Sequence, residues 1–185
     1  MAVKFPPCAL RCLADLSENS VRLALKNNRK VKKLVGVVAD AEALPFADGS
    51  FDMVTCAGSL SYFELQKGAS EIRRVLRPGG FFICVDSLDH NWFYKINRWL
   101  HYILGKRTRS TLKRMPTQTT VKELSNRIGA VRHISFHGTF LFLEPFLRLW
   151  IQPKKIRQLI MTWDKKYCAL ASWAFKFVVV IQKKG

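Results

Sequence analysis

An α/β fold, doubly wound around a mainly parallel sheet, is predicted by three features of this 185-residue sequence. Short, fully apolar runs recur where an exposed sheet would show polar alternation. Segments with helical spacing lie between several of them. Turn residues punctuate the boundaries. Strands buried on both faces read as continuous apolar runs, and helices crossing over a parallel sheet provide that burial.

Taken in order, Ala9–Ala14 is an apolar run ending at Asp15, the expected first strand of the chain. Ser17 or Asn19 caps a helix that carries Val21, Leu23, Ala24 and Leu25 to about Asn28. Leu34–Ala39 (LVGVVA) is β-branched and bounded by Lys33 and Asp40, which reads as a buried strand. Asp48-Gly49 marks a turn, and Phe51–Ala57 is the next strand. Leu65–Leu76 has helical periodicity through Ala69, Ile72, Val75 and Leu76, and Pro78-Gly79-Gly80 stops it. Phe81–Val85 (FFICV) is again fully apolar. Beyond residue 90 the spacing predicts a helix over Asn91–Leu104, a helix opened by Thr120 and closed by Gly129, a strand over His133–Phe142, a helix over Lys154–Ala174 and a closing strand Phe177–Ile181. No repeat or low-complexity stretch interrupts this, so one domain over 1–185 is expected, with a basic insert at about 90–116.

The charge is unevenly placed. Residues 1–89 hold 12 Lys/Arg against 10 Asp/Glu, a net of +2, whereas residues 90–185 hold 19 against 3, a net of +16. That imbalance suits an anionic partner, whether a membrane surface, a phosphorylated substrate or nucleic acid, or else a merely solvated surface. Segment 91–115 carries seven Lys/Arg and no acid, interleaved with Trp92, Phe93, Tyr94 and Trp99. It reads as a basic amphipathic helix making peripheral contact with a membrane, as a lid over an anionic substrate, or as an aromatic stripe belonging to the core. Five cysteines without CxxC spacing read as buried thiols of a reducing compartment, and no run is long enough to span a membrane. A cytoplasmic protein, peripheral at a membrane surface at most, is the expectation, with no secretory leader legible in the first residues.

Ligands of an open α/β sheet bind beyond the carboxyl ends of its strands. Asp15 and Asp40 each follow a strand, where a carboxylate can accept hydrogen bonds from ribose hydroxyls or an adenine amino group. Taken alone, an Asp at a strand end is more often a cap or turn residue. Together with the runs DLSENSVRLA, VVADAEALPFADGSFDMV and EIRRVLRPGGFFI, in this order, the segment from Ala9 to Val85 resembles the class I S-adenosylmethionine-dependent methyltransferases of the small-molecule type. The closing FVVVIQKK is similar to that family's last strand. The resemblance implies S-adenosyl-L-methionine as cofactor and methyl transfer to a small-molecule, lipid or sugar acceptor. It implies that Asp15 binds the ribose and Leu16 packs on the adenine. Asp40 would contact the adenine amino group, with the Ala41 amide facing the ring, and Cys56, Ala57 and Gly58 would pass beneath the ribose and methionine part. Phe51, Asp52 and Pro78-Gly79-Gly80 correspond to structural positions.

One departure is large. The ribose acid of such folds lies about 20 residues beyond a glycine loop, which counts back to a point before Met1, and the ten glycines include no Gly-x-Gly. The expected fold therefore lacks the family's first strand, its glycine loop and the following helix. An amino-terminally truncated sequence and a short protein that has lost cofactor binding, serving as an interaction or regulatory subunit, are the two explanations. No catalytic base is assigned: Tyr62, His90 and His101 are each placed to orient or deprotonate an acceptor hydroxyl. His133 and His137 share a strand face but have no evident third ligand, so no metal is expected. A nicotinamide oxidoreductase is disfavoured by the absence of a Tyr-x-x-x-Lys pair. A nucleic-acid-binding role for the basic half is the less favoured partner reading.

Overall fold

A computed structural model describes residues 10–89, 92–105, 108–140, 143–167 and 174–185. The element order is β1 Arg11–Asp15, α1 Glu18–Asn27, β2 Leu34–Val38, β3 Phe51–Ala57, a 3-10 turn Leu60–Tyr62, α2 Leu65–Val75, β4 Leu76–Ser87, α3 Trp92–Ile103, α4 Arg109–Lys113, α5 Gln118–Ile128, β5 Gly129–His137, α6 Glu144–Leu147, α7 Pro153–Lys166 and β6 Lys176–Lys183. Ala9, Asn91, His90, Phe142 and the 168–173 end of the last expected helix lie outside the described residues.

The strands form two sheets. β1 and β2 pair in parallel, while the other four are ordered β3-β4-β6-β5. β3 and β4 are parallel, but β6 runs antiparallel to both β4 and β5. The expectation of a mainly parallel sheet is thus corrected to a mixed one. The reason it could not be read is that an apolar run such as FVVVI reports burial and carries no information on direction. Among the described residues no strand joins β1 to β3, so each of these presents one unpaired edge.

The core belongs to the larger sheet. Phe82 and Cys84 of β4 and Phe177, Val179 and Ile181 of β6 are fully buried, at alternate positions and therefore on one face. Ala69, Ile72 and Val75 of α2 and Val121, Leu124 and Ile128 of α5 are buried on the helix side. The alternate residues of β4 differ: Ile83 is half-buried and Val85 exposed. Helices on both faces were expected; one face of this sheet is well covered and the other incompletely so.

Local chemistry explains several boundaries. The Ser17 hydroxyl accepts from the Ser20 amide at 3.3 Å and caps α1. α5 is opened by a reciprocal box, in which Thr117 Oγ1 accepts from the Thr120 amide and the Thr117 amide donates to Thr120 Oγ1. Thr117 thus takes the capping role expected of Thr120. Pro78-Gly79-Gly80 lies inside β4 and does not precede it. Phe51 pairs with Leu76 and Met53 with Phe81, so the intervening residues bulge out of the ladder. Gly79 has φ 74°, and a Cβ on Gly80 would stand 2.9 Å from the Arg77 carbonyl oxygen. Those two positions need glycine.

The 39–50 crossover ties the small sheet to the large one. Arg74 donates to the carbonyls of Leu44 and Phe46 and to Asp48, each at 2.7–2.8 Å, and pairs with Glu71. Glu71 in turn accepts from the Leu44 amide at 2.8 Å, and Phe46 meets Phe51 edge to face at 4.9 Å between centroids.

Candidate cofactor site at the strand tips

Asp15 is the last residue of β1, in register with Val38 of the neighbouring parallel strand, and Asp40 follows two residues beyond Val38. The Ala39 amide donates to the Asp15 carbonyl at 3.1 Å, which extends the ladder to the base of Asp40. The two acids therefore stand at adjacent strand ends on one edge, and both are exposed. Each uses Oδ1 for its own turn: Asp15 accepts from the Ser17 amide at 2.8 Å and Asp40 from the Glu42 amide at 2.9 Å. These are Asx turns, which fix the carboxylate plane and leave Oδ2 of each acid directed away from the turn bond. Leu16 is 71% exposed, and Ala41 is half-buried against the main core.

The second group of expected residues sits on the other sheet. Cys56 and Ala57 end β3, paired with Cys84 and Val85 of β4, and the Gly58 amide donates to the Val85 carbonyl at 2.9 Å. Gly58 has φ 68° and open space where a Cβ would stand. Since β1 and β3 are not in one sheet, no strand ladder joins the two groups. The joint is made by Glu42, whose Oε1 accepts from the Glu64 amide, while Lys67 pairs with Glu64 at 2.9 Å and Glu42 at 3.7 Å. The Asp40–Glu42 turn is thereby held against the loop that leaves β3.

Sequence reasoning missed the residue that organises this loop. Asp86, near the end of β4, is 6% exposed and accepts from the Leu60 amide at 2.9 Å and the Ser87 amide at 2.6 Å. Its signal was present: an acid terminating the FFICV run, at a strand tip like Asp15 and Asp40. Beside it, the Cys56 and Cys84 thiols hydrogen-bond to each other. That bond, donated by Cys84, holds the Cys56 thiol below its ordinary range, while donating it, burial and the Cys56 and Asp86 charges push Cys84 well up. Of the cysteines expected to be buried, Cys84 is, Cys12 and Cys56 are half-buried, and Cys8 and Cys168 lie outside the described residues.

Other candidates fall elsewhere. Tyr62 is 67% exposed on the 3-10 turn after β3, His101 lies near the end of α3, and His90 is outside the described residues. His137 shares a hydrogen bond with Ser135 at 3.0 Å. A cleft of about 690 Å³ lined by Asp48, Ser70, Arg73, Arg127 and Lys183 lies at the opposite end of the sheet, by the start of β4 and the end of β6. Two of its cations are already engaged: Arg73 donates to the Arg127 carbonyl, and Lys183 to the carbonyls of Arg73 and Leu76. They close helix ends, so this cleft is distinct from the strand-tip site.

Residues 8–84 match the family model described as a methyltransferase domain. The chain is 43% identical over 63 residues to a sterol 4-C-methyltransferase of Caenorhabditis elegans, covering 34% of this chain and 19% of that protein. It is 42% identical over 77 residues to a ubiquinone/menaquinone biosynthesis C-methyltransferase of Brucella canis, covering 38% of this chain and 29% of that one. A malonyl-[acyl-carrier protein] O-methyltransferase of Geobacter sulfurreducens is 35% identical over 83 residues, covering 44% and 31%. The chain thus spans less than a third of the length of these curated relatives. Among solved structures, the N-methyltransferase NodS from Bradyrhizobium japonicum bound to S-adenosyl-L-homocysteine superposes with a TM-score of 0.60 at 12% identity, over 96% of this chain and 68% of that one. The [4+2]-cyclase SpnF superposes with 0.61 at 16% identity, over 95% and 67%. These distant likenesses bear on the fold alone, and that a cyclase shares it shows why chemistry is argued from the site. Residues 8–84 are thus similar to a methyltransferase domain, and the fold of the chain resembles that of solved methyltransferases.

Proposed function

We propose that this chain serves methyl transfer from S-adenosyl-L-methionine to a small-molecule or lipid acceptor, with Asp15 and Asp40 holding the adenosine. The observation that carries this reading is the pair of exposed carboxylates at adjacent strand ends, each oriented by an Asx turn and each with one oxygen left for a ligand. Asp15 suits the ribose hydroxyls. Asp40 suits the adenine amino group, with the Ala41 amide and the exposed Leu16 completing an adenine slot. Cys56, Ala57 and Gly58 form the floor on the β3 side, where Gly58 leaves room for close approach. The residues present fit the adenosine half of the cofactor. That cofactor supplies an activated methyl group, so the protein's work is to align the acceptor and exclude water. The named activities of the similar sterol, quinone and acyl-carrier methyltransferases favour an apolar acceptor.

Calorimetric titration with S-adenosyl-L-homocysteine tests the reading. Asp15→Ala and Asp40→Ala should each weaken binding roughly 10- to 100-fold, the worth of one hydrogen bond to a charged group. A folded sample that binds no S-adenosyl-L-homocysteine overturns it. That result would favour the second reading, a cofactor-free interaction subunit, for which the unpaired edges of β1 and β3 speak.

A further inference from the structure

We infer that α3 docks this protein on an anionic lipid surface, beside the mouth of the strand-tip site. Trp92, Ile96, Trp99 and Ile103 recur at the spacing that aligns side chains along one stripe of a helix. Such a stripe ordinarily faces a core, but here its members are 45–58% exposed, and Leu104 just beyond is 65% exposed. These four side chains therefore do not form the core stripe that the sequence offered as an alternative.

The occupant follows from charge and chemistry. From residue 90 to residue 122 the sequence holds no acid, and seven Lys/Arg fall within 91–115. Lys95 on α3 is more than half exposed, and Arg109, Lys113 and Arg114 on and after α4 are exposed. A second copy would bring the same positive field to the contact. An anionic bilayer brings the opposite one, and its interface is where tryptophan rings partition. At 12 residues α3 is about 18 Å long, too short to cross a bilayer, and no described helix is long and apolar enough to do so. It would lie in the interface plane.

Position gives the docking its purpose. α4 packs against the Leu60–Tyr62 turn that follows β3, and the Asp89 amide donates to the Pro116 carbonyl at 2.9 Å, so the basic segment is anchored at the carboxyl ends of β3 and β4. A membrane held there would present a lipid-soluble acceptor to the proposed site. This rests on the methyl-transfer reading for its purpose, though the docking stands on the helix itself.

Sedimentation with vesicles tests it, using phosphatidylcholine alone and phosphatidylcholine with about one third phosphatidylserine. The protein should pellet with the anionic vesicles, at least tenfold more weakly with neutral ones, and should release in high salt. Trp99→Glu/Ile103→Glu should abolish pelleting without altering the far-ultraviolet dichroism. Arg109→Glu/Lys113→Glu should remove the preference for phosphatidylserine. Equal binding to both vesicle types, or unchanged binding by the Trp99/Ile103 variant, overturns the inference. So does a concentration-dependent dimer, in the absence of lipid, that the same variant dissolves. Binding of S-adenosyl-L-homocysteine, measured on the same samples, reports the methyl-transfer reading separately, so either can fail alone.

Discussion

Replacing Asp86 by Asn should loosen the cofactor side of the molecule while conserving side-chain volume. The carboxylate accepts from two backbone amides, Leu60 at 2.9 Å and Ser87 at 2.6 Å, and Leu60 is 2% exposed, so water cannot replace its partner. An amide side chain offers one acceptor oxygen, and its NH2 group then faces the other backbone N–H, donor against donor. Hydrogen bonds to a charged acceptor contribute about 1.5–3 kcal/mol each, so Asp86→Asn should cost about 2–3 kcal/mol and Asp86→Ala somewhat more. For a chain of this length 1 kcal/mol shifts Tm by about 2–4 °C, which puts Asp86→Asn roughly 4–12 °C below the parent in a dichroism melt. A second readout is chemical: the Asp86 charge raises both neighbouring thiols, so its removal should lower them and quicken alkylation of Cys56. If Asp86→Asn melts within about 1 °C of the parent, the loop after β3 is not held by this carboxylate and the account of the site floor fails.

Gly36 sits where a Cβ would stand 2.5 Å from Val21 Cγ1 and 2.8 Å from Leu25 Cδ1, so α1 lies directly on β2 there. Gly36→Ala should cost about 1–3 kcal/mol by overpacking, and Val21→Ala in the same chain should recover part of it; additive losses in the double-variant cycle would refute the contact. Among the described thiols, Cys56 should be alkylated at lower pH than an ordinary cysteine, and Cys84→Ala, which removes the hydrogen bond holding it down, should move that pH dependence upward. Glu71 is held below the usual carboxylate range, first by its hydrogen bonds from Arg74. Its contribution is therefore present above the unfolded carboxylate pKa and lost as pH falls through the folded one. Glu71→Gln should flatten the acid limb of a pH-dependent melt; an unchanged limb would show that this pair does not secure the 44–48 crossover.

The strand tips were legible because their signals are local. Asp15 ends RCLAD and Asp40 follows LVGVV, and each forms a turn with the residues immediately after it, which needs no distant partner. Asp86 carried the same kind of signal but was not read as a site residue, because its role depends on the Leu60 amide 26 residues away. The joint between the two sheets was equally hidden. Nothing near Glu42 announces that it will accept from the Glu64 amide, or near Arg74 that it will gather three separate oxygens of the 44–48 loop.

Taken by itself, the sequence determined that apolar strands alternate with helices, although β1 and β2 hold no buried residue, that two acids follow neighbouring strands, that the second half is basic, and that the chain resembles the class I methyltransferases. Those properties are set by side-chain period, turn chemistry and charge, all confined to a few adjacent residues. The direction of β6, the split into two sheets, the burial of Asp86 and the outward turn of the α3 stripe were decided by the tertiary structure. A hydrophobic run requires burial without naming its neighbour or its sense, and an amphipathic helix has the same period whether its apolar stripe meets a core or is left exposed. Long-range packing makes both choices.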